Sequence, residues 1–473
     1  MQTYRLTSKL IQQGFGLVVG LLILYWISSA LFRSIFPPAP SACDSAQQAN
    51  LSLSCGEKVL VIPPGAKTRV NKQKGFDSFK DKNYNAAIEY LKTDWETAKD
   101  PETSIALENA KIARDKNKPF QTIAVVIPAS QTPIFIPTSI LKGVAYAQSQ
   151  WNQEAHNWSL RVVIADDAND PDRGKAVAQE LIKRADIIAV VGHYSSQVTS
   201  SVGSLYQDAH KVLISATSTA ASLTNDSPNT FFFRTCSSNT IAGSQMAKTW
   251  AKKHQKIAIF YTPDKKFSES IRGAFLDNLQ SVKVVKEFSL SNPTNAKSEI
   301  ELAKKLGATA IVLFPDAYTD PIERDRVLSL IKANNGELPI LGNEIIADDY
   351  LFKLEPKLIS KLTISLPWHP SDLANQTPKL FEFAPNWWGD HNNIPSRIVM
   401  SYDATISILS ALGWTTPDFR SVDLQKILSR STFQTTGMTG EIKFAGSDRI
   451  KPINSLVQPI CSLTSCAGFK PAI

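Results

Sequence analysis

Histidine and cysteine are scarce, six and five in 473 residues, and none of them cluster at metal-ligand spacing. The chain has no Gly-x-x-x-x-Gly-Lys-Ser/Thr phosphate loop and no Gly-x-Ser-x-Gly nucleophile elbow. It also lacks the low-complexity tracts that keep a segment from burying a core. No basic stripe stands out either. The net charge of +8 is spread along the sequence, with lysines such as Lys252, Lys253 and Lys256 on what read as solvated helix faces. These absences argue against a metal, a cofactor and nucleic acid. His193 beside Ser195 suggests a nucleophile and its base, but without an elbow motif the reading is a binding protein and not an enzyme.

What is present is ordinary globular material, 43% hydrophobic and 20% charged, in a chain too long for one core. At the N-terminus, Gly14 to Phe32 carries no charge and nearly reaches the length of a membrane-crossing helix. Arg5 and Lys9 precede it and Arg33 alone follows closely, which places the N-terminus inside and exports the bulk of the chain. A cleaved signal ending near Ser28-Ser29-Ala30 is the alternative. The run is longer than the usual signal core, so the expectation is an uncleaved single-pass anchor in a bacterial inner membrane, with the rest in the periplasm or outside. An oxidising compartment suits two local disulfides, Cys43–Cys55 and Cys461–Cys466, and leaves Cys236 as a buried thiol.

After Pro37-Pro38-Ala39-Pro40, the apolar spacing from Gly75 to Arg114 is helical. It resembles a single tetratricopeptide-type hairpin, but such repeats need several stacked copies, so a helical spacer packed on its neighbour is also expected. From Gln121 onward strands alternate with helices. Ile123–Ile127, Leu160–Ala165, Ile187–Val191, Val212–Ile214 and Phe231–Phe233 form one set of strands. Ile257–Tyr261, Val282–Phe288, Ala310–Phe314 and Ile340–Leu341 form a second. Two such sets predict an α/β fold of two doubly wound Rossmann-like lobes, with a hinged cleft at the carboxyl ends of the strands.

The serine-bearing segment Gly192-His193-Tyr194-Ser195-Ser196 sits where a strand ends and a helix begins, a place where an anion can be held. Together with Asp166–Pro171, Ile214–Thr219, Phe233-Arg234-Thr235 and Leu341-Gly342-Asn343-Glu344, it resembles the leucine/isoleucine/valine-binding family of type I periplasmic solute-binding proteins over roughly residues 120 to 460. The resemblance implies an amino-acid ligand, or a similar small zwitterion or amide, and delivery to an ABC transporter permease. It implies that Ser196, in the loop with Tyr194 and Ser195, holds the carboxylate. It also implies that Ser218 and Thr219 share the contacts and that Glu344 pairs with the ammonium from the other lobe. Asn239 stands where the family often has Asp, and Tyr318 where it supplies an aromatic. The family's disulfide in the serine loop is missing. A ligand-sensing ectodomain that signals through a separate membrane partner is the competing reading. The expected domains are residues 1–36 (cytoplasmic tip and anchor), 37–118 (linker and helical region), 119–238 with 371–445 (first lobe), and 239–370 with 446–473 (second lobe).

Overall fold

The computed structural model describes residues 52–62, 65–115, 117–130, 133–291, 295–316, 320–347, 350–373, 387, 394–413 and 420–472. The expected span Gly14 to Phe32 lies outside these residues. Among the described residues no helix is long and apolar enough to cross a membrane.

Two sheets organise the chain. The first runs in the spatial order Leu53–Ser54, Ser159–Asp166, Phe120–Ile127, Ile187–Val191, Val212–Ser215, Phe232–Arg234, Asp448–Arg449, Phe444–Ala445. Its middle strands are parallel, and a short antiparallel strand closes each edge. The second has the order Cys466–Pro471, Ser455–Cys461, Leu362–Leu366, Ile340–Gly342, Ala310–Phe314, Lys256–Tyr261, Lys283–Ser289. Five of its strands are parallel, and the C-terminal hairpin adds two antiparallel ones.

Strands such as Ile187–Val191 and Ala310–Phe314 are buried along their whole length, because helices cover both faces of each sheet. Those helices have legible starts. Asp-Pro opens three of them, at Asp100, Asp170 and Asp320. In each, the Asp side chain accepts a hydrogen bond from a first-turn amide while Pro supplies helical φ at a position that needs no donor.

The chain crosses between lobes after Arg234, after Leu366 and after Arg449. The last crossing comes later than the expected boundary at 446. Asp448 still pairs with Arg234 in the first sheet, and its carboxylate accepts a 2.9 Å hydrogen bond from the Arg234 guanidinium.

The helical region is three helices, Val70–Lys80, Tyr84–Ala98 and Pro101–Arg114, packed on one another in chain order, with the third lying against the first lobe. Asn109 docks it. Its side-chain amide donates to the carbonyls of Val162 (2.7 Å) and Cys55 (2.8 Å), and its oxygen accepts from the Val162 amide (3.1 Å). Lys72, buried, binds Glu102 at 2.7 Å and Asp100 at 3.0 Å, tying the first helix to the third. Cys461 and Cys466 are disulfide-bonded across the tip of the C-terminal hairpin, and Cys236 is a buried free thiol. Cys55 is disulfide-bonded; Cys43, its expected partner, lies outside the described residues.

Candidate functional site

Between the lobes lies a cavity of about 320 Å³, within the size range of small-molecule sites. One wall is built by the serine loop. Ser195 caps the helix Ser196–Asp208, its hydroxyl accepting from the Val198 amide, so Ser196 and Gln197 open the helix with amides that have no intrahelical acceptor. Both line the cavity, as does Tyr194. The Ser196 hydroxyl accepts from the Ala220 amide at 3.2 Å, which fixes the neighbouring loop against the helix end. From that loop Thr219 reaches the cavity. It is buried, and its hydroxyl oxygen has no hydrogen-bond partner. An orphaned polar atom facing a cavity is what a bound ligand would satisfy.

The other lobe supplies carboxylates. Glu344 begins a short turn after the strand Ile340–Gly342, held by Asn343, whose side chain accepts from the Ile345 amide and donates to the Pro315 carbonyl at 2.8 Å. The Glu344 carboxyl is open to the cavity but enclosed by protein, and that burial pushes its pKa up to about 7. Asp316 follows the adjacent strand, faces the same space, and accepts from the Ser268 amide. Burial raises its pKa as well.

Two residues expected at the site stand behind it. The Ser218 hydroxyl bonds Thr199 at 2.7 Å and the His193 carbonyl at 3.2 Å, and its own carbonyl turns to Arg234 and Cys236. Asn239 donates its backbone amide to the Thr219 carbonyl at 2.7 Å and its side chain to the Phe267 carbonyl at 3.2 Å, so it fastens the first crossing without lining the cavity. Tyr318 lies outside the described residues.

His193 is no base for Ser195. It is fully buried, with Nδ1 2.7 Å from Asp167 and Nε2 3.2 Å from the Tyr206 hydroxyl. The acidic turn is structural too: Asp166 accepts from the Ser130 and Ala168 amides and pairs with Arg173 at 2.6 Å.

Several lining residues lie outside the motifs legible in the sequence. Phe135, Ser139 and Lys142 share one face of the helix Phe135–Gln153, and Arg397 sits in the first turn of the helix Ser396–Leu412. The two helices can approach because Gly143 has no side chain; a Cβ there would run into the Ile398 carbonyl. Trp368, on the second crossing, is 1% exposed, and its indole nitrogen has no partner. An Arg at a helix N-terminus opposes the dipole, and that is the clue the sequence did hold.

The sequence profile of the periplasmic binding protein family matches residues 121–448. No curated protein matches the chain. Among solved structures, an ABC transporter substrate-binding protein from Desulfitobacterium hafniense, solved in complex with Leu, is 22% identical with a TM-score of 0.58; the match covers 73% of this chain and 98% of that one. A leucine-binding protein of Thermotoga maritima MSB8 is 18% identical with a TM-score of 0.59, over 74% of this chain and 97% of that one. A solute-binding protein of an ABC transporter from Rhodopseudomonas palustris HaA2, in complex with p-hydroxybenzoic acid, is 17% identical with a TM-score of 0.60, over 74% and 96%. At such identities the likeness is one of fold, and the profile match over most of the chain carries the assignment: the chain belongs to the periplasmic binding protein family.

Proposed function

We propose that this is an extracytoplasmic solute-binding protein that closes its two lobes around an amino acid or a similar small zwitterion. In this reading it is tethered by the span Gly14 to Phe32 and delivers its ligand to an ABC transporter permease. One observation carries the ligand class: a helix N-terminus and the unpartnered Thr219 hydroxyl on one lobe line the same interlobe cavity as the Glu344 carboxyl of the other. The ligand carboxylate goes to the amides of Ser196 and Gln197 and to Thr219, where the helix dipole favours an anion. The ammonium goes to Glu344, whose carboxylate form it stabilises by charge-assisted hydrogen bonding. Only the closed arrangement satisfies both ends, so ligand favours closure by its differential affinity for that state.

The tested quantity is heat stability in a panel of amino acids, measured on the purified protein. An amino acid at 100 times its dissociation constant should add about 2.7 kcal/mol to stability. A folded protein that responds to no amino acid at millimolar concentration would remove the amino-acid reading.

A further inference from the structure

The second lobe is polarised along its strands. Its parallel strands Lys256–Tyr261, Lys283–Ser289, Ala310–Phe314, Ile340–Gly342 and Leu362–Leu366 all run the same way and finish at the cavity end, where Asp316 and Glu344 follow two of them. Their starts form the opposite end. There Lys252, Lys253, Lys256, Lys283, Lys305 and Lys361 are all exposed, and among the described residues none of them has a carboxylate at ion-pairing distance. The acids at this end are Asp277, Glu337 and Glu355, and the last two pair with Lys304 and Lys357. Helix dipoles account for lysines in a last turn, such as Lys253 and Lys305. They do not account for Lys256 and Lys283, which open strands, or for Lys361 just before one. Between Lys253 and Lys361 lies a cavity of about 360 Å³, lined also by Thr249, Ser360 and Gln458 and by no acid.

The same end carries an apolar point. Ser455–Cys461 runs antiparallel to Leu362–Leu366, pairing Ser455 with Leu366 and Val457 with Ile364, so Cys461 and the hairpin tip beyond it reach the starts of the parallel strands. The tip, Cys461-Ser462-Leu463-Thr464-Ser465-Cys466, is closed by its disulfide. Leu463 is 99% exposed there, and Ile460, beside the staple, is 47% exposed. One exposed leucine signifies little by itself. A stapled tip that presents it next to a field of lysines without carboxylate partners fits a membrane interface, where anionic headgroups take the cations and the acyl boundary takes the leucine. Each lysine brought to such a surface adds roughly fivefold to the binding constant. We propose that the strand-start end of the second lobe docks on an anionic phospholipid surface, with a headgroup phosphate at Lys253 and Lys361 and Leu463 inserted beside it. Docked in this way, the interlobe cavity faces away from the bilayer and is open to solutes, and handing a ligand to a permease in that bilayer requires release from the surface.

The test uses the full chain reconstituted with vesicles of phosphatidylcholine alone and with vesicles of phosphatidylcholine and phosphatidylglycerol in equal parts. Lysine acetylation by a water-soluble reagent is followed by mass spectrometry. Lys256, Lys283 and Lys361 should react at least fivefold more slowly on the anionic vesicles, while Lys92, an exposed lysine of the helical region, changes less than twofold. Leu463→Asp, at a side chain open to solvent on all sides, should fold as wild type does and lose most of that protection. Equal rates on the two kinds of vesicle would overturn the docking, leave the solute and tether readings standing, and turn this face over to an acidic protein. Equal protection of Lys92 would overturn it too, since the bilayer would then act on the whole chain alike. Undiminished protection in Leu463→Asp would overturn the insertion of the tip. A chain retained by the anionic vesicles alone would support the docking and remove the tether; one retained by neither would overturn both.

Discussion

Gly143 lies directly against the carbonyl of Ile398, and a Cβ at that position would also stand 2.7 Å from the amide nitrogen of Tyr402. This contact is what lets the helix bearing Lys142 and the helix bearing Arg397 form one wall. Gly143→Ala therefore meets backbone, which cannot rotate away. Urea unfolding should show a loss of about 1–3 kcal/mol, the range for overpacking. The same variant should bind ligand more weakly, because the cavity wall these two helices form together is pushed apart. Wild-type stability in Gly143→Ala would mean that the helices are not in this register.

Binding should depend on pH through Glu344. Burial pushes its carboxyl up to about 7, so without ligand it is largely protonated below that value. A ligand ammonium needs the carboxylate, and forming the pair must expel the proton. Affinity should fall about tenfold for each pH unit below 7 and level off above it. Proton release on binding near neutral pH, read from titrations in buffers of different ionisation enthalpy, checks the sign. Affinity that is flat from pH 5 to 8 would remove Glu344 from the contact.

Arg449 and Asp403 form a buried pair 3.4 Å apart, with Thr439 between them, that anchors the helix Ser396–Leu412 to the first lobe. Burial raises the Asp403 pKa to about 6 even beside the guanidinium. Arg449→Met would leave that carboxyl without its cation and should cost on the order of 3–5 kcal/mol at neutral pH. Adding Asp403→Leu should recover only part of the loss, since it removes the unpaired charge but leaves the buried Met438 and Thr439 amides without the acceptor they have in wild type. Chemical denaturation of the two variants separates the outcomes. A single variant as stable as wild type would show that the pair contributes nothing.

The Cys461–Cys466 bond closes a very short loop at a hairpin tip, where Leu463 is fully exposed. Loop-closure entropy makes such a bond worth only about 2 kcal/mol, so Cys461→Ser with Cys466→Ser should lower stability by no more than that. Ligand affinity should be unchanged. A tenfold loss of affinity in this variant would tie the tip to the site.

The legible parts of the fold were those with one dominant physical signal. Ile187–Val191 and Ala310–Phe314 are continuous apolar runs, because strands covered on both faces need no polar side. Ser455–Cys461 and Cys466–Pro471 went unread. They form the antiparallel hairpin at one margin of the second sheet, Cys466–Pro471 at the edge and Ser455–Cys461 next to it, and they mix Pro459, Gly468, serine and cysteine with no clean alternation. In the site, Ser196, Thr219 and Glu344 follow strand ends and were singled out through the family resemblance carried by those loops. Ser218 and Asn239 have the same local signature, yet they hold backbone together, and sequence has no means of showing which way a hydroxyl or amide turns. Lys142 reads as an ordinary exposed lysine, because only the approach of a helix some 250 residues away, on the order of half the chain, makes its face a cavity wall.

The proposed function requires an ammonium held by Glu344 opposite a carboxylate held at the Ser196 helix end. Calorimetry on Glu344→Ala, with the amino acid that the thermal panel selects, tests it most directly. The variant loses the charged partner of a desolvated ammonium and should bind 30-fold to several-thousand-fold more weakly, on the order of 2–5 kcal/mol. Ser196→Ala should lose less, since the backbone amides and dipole remain. Asp325→Ala, at an exposed acid on the second lobe, should bind as wild type does. Equal affinities for Glu344→Ala and wild type would contradict the central claim.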